Sequence, residues 1–153
     1  MSTATSNAVR VTQIIRASRE RLFDAWTTPA ELAMWWRMDE PGWAFASASL
    51  DLRVGGAYRL GMTGPGGETH VAVGVYREVQ RPVRLAFTWD WEEPGSRVGE
   101  TLVTVEFNQV SADTTEVVLT HERFPDAARA SGHQRGWTQL LTLLGRATEG
   151  HTR

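Results

Sequence analysis

One strand limits what this chain can become. Val83, Leu85, Phe87, Trp89 and Trp91 alternate with Arg84, Ala86, Thr88 and Asp90, so one face is wholly apolar and the other mostly polar. Such a face must be covered by another element. The only later segment long enough to do it lies near the C-terminus. There His133, Trp137, Leu140, Leu141 and Leu144 fall on one face at helical spacing, in a helix running to about Thr148. An antiparallel sheet packed on one long helix is an α+β fold.

The rest of the chain fits that plan. Val9, Val11, Gln13 and Ile15 alternate with Arg10, Thr12, Ile14 and Arg16, which predicts a first strand. Ser18 is placed to cap a short helix with Leu22, Phe23 and Trp26 on one face. Thr28-Pro29-Ala30-Glu31 predicts a second short helix, with Glu31 completing a capping box and an end near Trp35 and Trp36. Strands are then expected over 45–54, 57–63, 68–79, 83–91, 98–110 and 114–121, with turns at Gly55-Gly56, Gly64–Gly67, Arg81-Pro82, Glu92–Ser96 and Ser111–Asp113. In the last helix, Ser131 and Gln134 match a capping box, and Gly132 marks a bend after a turn beginning at Pro125. Residues 1–8 read as a flexible N-terminal tail, 9–148 as a single domain and 149–153 as a C-terminal tail.

Composition removes several classes of function. A net charge of −2 gives no electrostatic reason to bind nucleic acid. No run approaches the roughly 20 apolar residues of a membrane helix, and the polar N-terminus has no signal-peptide core. There is no cysteine, which excludes disulfides, thiolate metal sites and thiol nucleophiles and fits a cytoplasmic protein. Seven tryptophans stand beside only two tyrosines, a balance that suits a core or an apolar cavity.

The order of elements resembles the helix-grip fold of START-like domains, the SRPBCC superfamily. Within it the chain is similar to the bacterial relatives of the activator of the heat-shock-protein-90 ATPase. The stretches that carry the resemblance include Arg19–Thr27, Leu32–Trp36, Asp51–Gly56, Gly74–Val79, Arg84–Trp89, Leu119–His121, Phe124-Pro125 and Gly136-Trp137. They recur in order across nearly the whole chain. The resemblance implies a curved antiparallel sheet of about six to seven strands wrapped around the C-terminal helix, two short helices after the first strand, and an apolar cavity. Members of the superfamily bind lipids, polyketides, plant hormones or other hydrophobic molecules, and some are cyclases or oxygenase subunits. The eukaryotic activators carry a separate N-terminal domain that engages the chaperone, and that domain is expected to be absent here.

The expected ligand-binding residues are Trp36, Phe45, Met62, Phe87, Trp89, Trp91, His121, His133, Trp137 and Leu141. His121 has the inward parity of Val117 and Leu119, and His133 lies one turn before Trp137. Both are expected to orient a ligand by hydrogen bonding. His70 shares the parity of Tyr76, a face that periodicity alone leaves unassigned. No HExxH or HxxxH spacing occurs, so no metal and no cofactor are expected. The Gly64–Gly67 run has no following lysine and is not a P-loop, and no serine sits in a GxSxG elbow. Glu92-Glu93 in a Pro-Gly turn is expected in solvent.

Three functions remain open. The first is a binding module for a small hydrophobic or amphipathic molecule, as a monomer or homodimer. The second is a cavity enzyme of cyclase, hydrolase or isomerase type using His121 and His133. The third is a chaperone-associated or other protein-interaction module, with a stress-response role in view, using the exposed sheet face or the Trp35–Trp36 region.

Overall fold

The computed structural model describes residues 7–149. Of the expected tails at 1–8 and 149–153, residues 1–6 and 150–153 lie outside the described residues. The elements run β1 (Val9–Ile15), α1 (Arg19–Thr27), α2 (Pro29–Leu32), β2 (Ala44–Leu50), β3 (Ala57–Thr63), β4 (Thr69–Gln80), β5 (Arg84–Trp91), β6 (Thr101–Ser111), β7 (Thr114–Glu122) and α3 (Ala127–Thr148). The seven strands form one curled antiparallel sheet in the order β1-β7-β6-β5-β4-β3-β2. Its inner face grips α3. This is the α+β helix-grip architecture that the sequence implies.

The alternation in β1 and β5 places the core. Val9, Val11 and Ile15 are buried while Ile14 is exposed; Leu85, Phe87 and Trp89 are buried. The other face of β5 is drier than its polar letters suggest, because Ala86 and Thr88 are buried too. Thr88 keeps its polarity satisfied there: its hydroxyl accepts the Val75 N–H and its carbonyl accepts the Tyr58 hydroxyl, at 2.9 and 2.6 Å. α1 starts as expected, with the Ser18 hydroxyl accepting the Arg21 N–H. It turns Leu22, Phe23 and Trp26 into the core, where Phe23 meets Phe107 edge-on at 5.7 Å.

Several boundaries differ from the sequence reading, each for a local reason. α2 has Thr28 as its cap and Pro29 at its first position, but the Thr28 side chain makes no capping bond, and Glu31 pairs with Arg21 rather than completing a capping box. The helix ends at Leu32, and a turn in which the Trp36 N–H reaches the Leu32 carbonyl carries the chain to the tryptophan pair. β2 stops at Leu50, since residues 51–56 fold into a turn closed by Gly55 at φ +86°. α3 is one unbroken helix that starts at Ala127, capped by Asp126 accepting the Arg129 N–H. Ser131 is therefore not the cap, and Gly132 does not bend the helix. A mid-helix glycine costs roughly 1 kcal/mol, and the packing of the buried α3 face outweighs it. Glu149, read as tail, is tied down: its carboxylate accepts the Arg16 N–H at 2.9 Å. The far end of α3 packs on β1, where a Cβ at Gly145 would lie 3.7 Å from Ile15. The near end stands off the sheet and leaves a hollow.

Candidate functional site

That hollow is a cavity of about 400 Å³ between the sheet and the first half of α3. Such a volume falls within the range of small-molecule sites. Its wall is built from six places in the chain. Trp36, Met38 and Trp43 come from the segment after α2, Met62 and His70 from β3 and β4, and Trp89 and Trp91 from β5. Gly95, Ser96 and Val98 come from the β5–β6 connection, and Arg129, Gly132, His133, Gly136, Trp137 and Leu140 from α3. The helical contribution follows from spacing alone. Residues 129, 132, 133, 136, 137 and 140 recur at three- and four-residue steps, so they share one stripe.

Six of the ten residues expected at the site meet in this wall: Trp36, Met62, Trp89, Trp91, His133 and Trp137. Four are elsewhere. Phe87 and Leu141 point inward but sit deeper, where α1 fills the space, and Phe87 packs against Tyr58 and Trp26 at 5.3 and 6.4 Å. Alternation assigns a face to a residue, not its depth along the strand. Phe45 is half-buried at the edge of the core. His121 is fully buried behind the wall.

The histidines form two relays, and the indoles determine their direction. An indole N–H can only donate, so the 3.0 Å contact from Trp137 Nε1 makes His121 Nδ1 an acceptor. Nε2 of the neutral ring then carries the proton and donates to Thr101 Oγ1 at 2.7 Å, and that hydroxyl donates to the Trp89 carbonyl at 2.6 Å. In the same way, Trp91 Nε1 donates to His133 Nε2 at 3.0 Å, and His133 Nδ1 donates to the Arg129 carbonyl at 2.8 Å. The rings lie 5.3 Å apart. All four ring nitrogens are engaged within the protein. Their direct contribution is to fix Trp137 and Trp91.

Burial reinforces this. His121 is pushed down to about 2, first by burial and then by the nearby His133, and His133 is lowered chiefly by burial. Because the native ring refuses a proton that the unfolded chain accepts below its ordinary value near 6.5, acid favours unfolding. Stability should be nearly flat above pH 7 and fall by about 1 kcal/mol from pH 7.5 to 5.5 through His121, with His133 adding in the same direction. Urea midpoints across that window check it. An unchanged midpoint means that His121 titrates normally in the fold.

Other sequence expectations resolve plainly. His70 faces inward at the rim, its ring 5.3 Å from Trp43 and its Nε2 3.4 Å from Glu68. Trp35 and Trp36 are 0% and 1% exposed, so this pair gives no apolar surface to a protein partner. Trp35 instead donates to the Ala25 carbonyl at 3.0 Å. Glu92 is exposed but accepts from Nε and Nη2 of the Arg59 guanidinium. Among the described residues, no three His, Asp or Glu side chains converge as a metal site, and no helix is long and apolar enough to cross a membrane.

The sequence reading missed the β5–β6 connection. Asp90 accepts the N–H groups of both Trp91 and Val98 at 2.8 Å, which folds the connection back over the cavity and buries Val98. Val98 is expected as the first residue of a strand over 98–110, whereas β6 starts at Thr101 and Val98 belongs to the connection. Gly132 and Gly136 were missed as well. A Cβ at Gly136 would meet no atom within 4 Å. Gly136→Ala should therefore stabilise the protein by about 0.5–1 kcal/mol, the ordinary gain of alanine over glycine inside a helix. A thermal melt checks it, and a destabilised variant would show that the position tolerates no side chain.

The profile of the family described as "Activator of Hsp90 ATPase homolog 1-like protein" matches residues 16–149, from the end of β1 through α3. The chain belongs to this family. Solved structures repeat the fold of this AHSA1-like chain over nearly its full length. Protein CV1439 from Chromobacterium violaceum is 26% identical, with 94% of this chain and 97% of that one covered at a TM-score of 0.79. The AHSA1 protein SPO3351 from Silicibacter pomeroyi is 24% identical, covering 91% and 95% at 0.77. Protein Ms6760 from Mycobacterium smegmatis is 16% identical, covering 98% and 95% at 0.79, a likeness of fold alone. No curated protein matches the chain.

Proposed function

We propose that this AHSA1-like chain is a binding module that holds a small hydrophobic or amphipathic molecule in the cavity between the sheet and α3. The observation that carries the reading is the make-up of the wall. Five tryptophans, two methionines and a leucine surround about 400 Å³, with polar groups confined to a few positions. Small-molecule sites have this character. The two histidines support binding over chemistry, since each is committed to holding an indole of the wall.

Native mass spectrometry of freshly purified protein, set against its denatured mass, tests the proposal. A reproducible non-covalent adduct in wild type, lost in Gly136→Leu, supports it and gives the mass of the occupant. An adduct that persists in the filled variant places the bound molecule elsewhere and counts against the cavity.

A further inference from the structure

The five wall tryptophans do not treat their N–H groups alike. Trp91 and Trp137 each have a histidine nitrogen as acceptor, and each of those histidines is anchored at its other nitrogen. The N–H groups of Trp36 and Trp89 are buried without a protein partner, in side chains only 1% and 2% exposed. The two rings stand edge to face with centroids 6.0 Å apart, both in the wall of the same cavity. Buried donors are nearly always satisfied in folded proteins, so each exception asks for a partner. An indole N–H only donates, so that partner is an acceptor.

We propose that the occupant of the cavity carries an acceptor oxygen, as a carbonyl or a carboxylate, on an aromatic or fused-ring body, with the oxygen set against the indole N–H groups of Trp36 and Trp89. The inference rests on the binding reading above and names the class of ligand. The rest of the wall agrees with it. No Asp or Glu side chain stands among the wall residues to repel an oxygen or to accept from a donor ligand. Of the two wall histidines, His133 Nε2 is already taken by Trp91, and His70 Nε2 lies 3.4 Å from Glu68. Arg129 adds a cation to the wall, with one arm on Asp126 at 2.7 Å. The rings of Trp36, Trp89 and Trp137 are edge-on or tilted to one another at 5.0 to 6.0 Å, so the wall is itself an aromatic cluster that suits an aromatic guest. Trp26 also has an unpaired N–H, but it stands apart from this wall beside a hollow of about 10 Å³ and carries none of the argument.

Three matched probes test the proposal on the wild-type protein: 2-ethylnaphthalene, 2-acetylnaphthalene and 2-naphthoate. The first two differ by one oxygen at nearly constant shape. Proton–nitrogen NMR of the indole groups, assigned through Trp36→Phe and Trp89→Phe or by triple-resonance spectra should either variant not fold, follows the titrations. The expected result is binding of an oxygen-bearing probe about tenfold or more tighter than the hydrocarbon. The Trp36 and Trp89 N–H signals should move downfield only with oxygen present. A tighter ketone identifies a carbonyl occupant, and a tighter naphthoate a carboxylate. Equal affinity for the hydrocarbon, with both N–H signals unmoved, overturns the acceptor and leaves cavity binding intact. Binding by none of the three overturns both.

Discussion

Replacing Trp137 by alanine should cost about 3–5 kcal/mol, the usual range for deleting a buried tryptophan. Trp137 is 2% exposed and touches the tryptophan rings of three other segments: Trp26 at 6.0 Å, Trp36 at 6.0 Å and Trp89 at 5.0 Å. It therefore joins α1, the segment after α2, β5 and α3 at one point. Its loss also leaves His121 Nδ1 buried without its donor, which adds to the cavity cost. The total is a large share of the 5–15 kcal/mol that holds a typical domain together. Urea denaturation at pH 7.5 measures it. Trp137→Phe keeps an aromatic ring but loses the N–H together with part of the indole volume, so it should cost less than the alanine variant, about 1–3 kcal/mol. An alanine variant less than about 1 kcal/mol weaker than wild type contradicts the role given to this ring.

Gly74→Ala should be as damaging, although it adds only one methyl group. A Cβ at this position would lie 1.9 Å from the Thr88 carbonyl oxygen and 2.7 Å from its carbon. The obstacle is backbone, so β4 and β5 must separate to admit it. Two hydrogen bonds go with that separation, from the Tyr58 hydroxyl to the Thr88 carbonyl and from the Val75 N–H to the Thr88 hydroxyl. Overpacking costs typically 1–3 kcal/mol, and each bond adds about 1 kcal/mol, for a loss of about 3 kcal/mol or more. Gly55→Ala provides the comparison. There φ is +86° but no atom lies within 4 Å, so only the left-handed backbone penalty of about 1–2 kcal/mol applies. If both variants melt together, the close approach of the two strands is not what requires Gly74.

These two residues show what kind of information the sequence holds. Trp137 is legible because its apolar stripe on α3 has a period, and so are the faces of β1 and β5 and the inward turn of His121. The reason for Gly74 is not legible, because it lies in a contact with Thr88 that no local pattern records. The same division runs through the candidate site. Face is written in alternation, and six of the ten expected residues do meet in the cavity wall. Depth is not, so Phe87 and Leu141 belong to the filled end of the core. Register is set by pairing: Met62 opposite His70 fixes the facing that the parity of His70 left open. The cap of α3 was misplaced because Ser131 and Gln134 fit a capping template that Asp126, five residues earlier, satisfies in three dimensions. The polarity of the β5–β6 turn concealed a wall segment, since its fold depends on one Asp90 carboxylate reaching two backbone N–H groups.

On the proposed function, the space beside α3 receives a guest. Fluorescence titration with 8-anilinonaphthalene-1-sulfonate, run on wild type, Gly136→Ala and Gly136→Leu, tests it most directly. Equal melting cooperativity establishes that all three are folded. Saturable one-to-one binding is expected in wild type, with an affinity at least about tenfold lower in Gly136→Leu, whose side chain takes the space, and Gly136→Ala between them. Equal affinity in wild type and Gly136→Leu would contradict the claim and place the dye, and the function, on another surface.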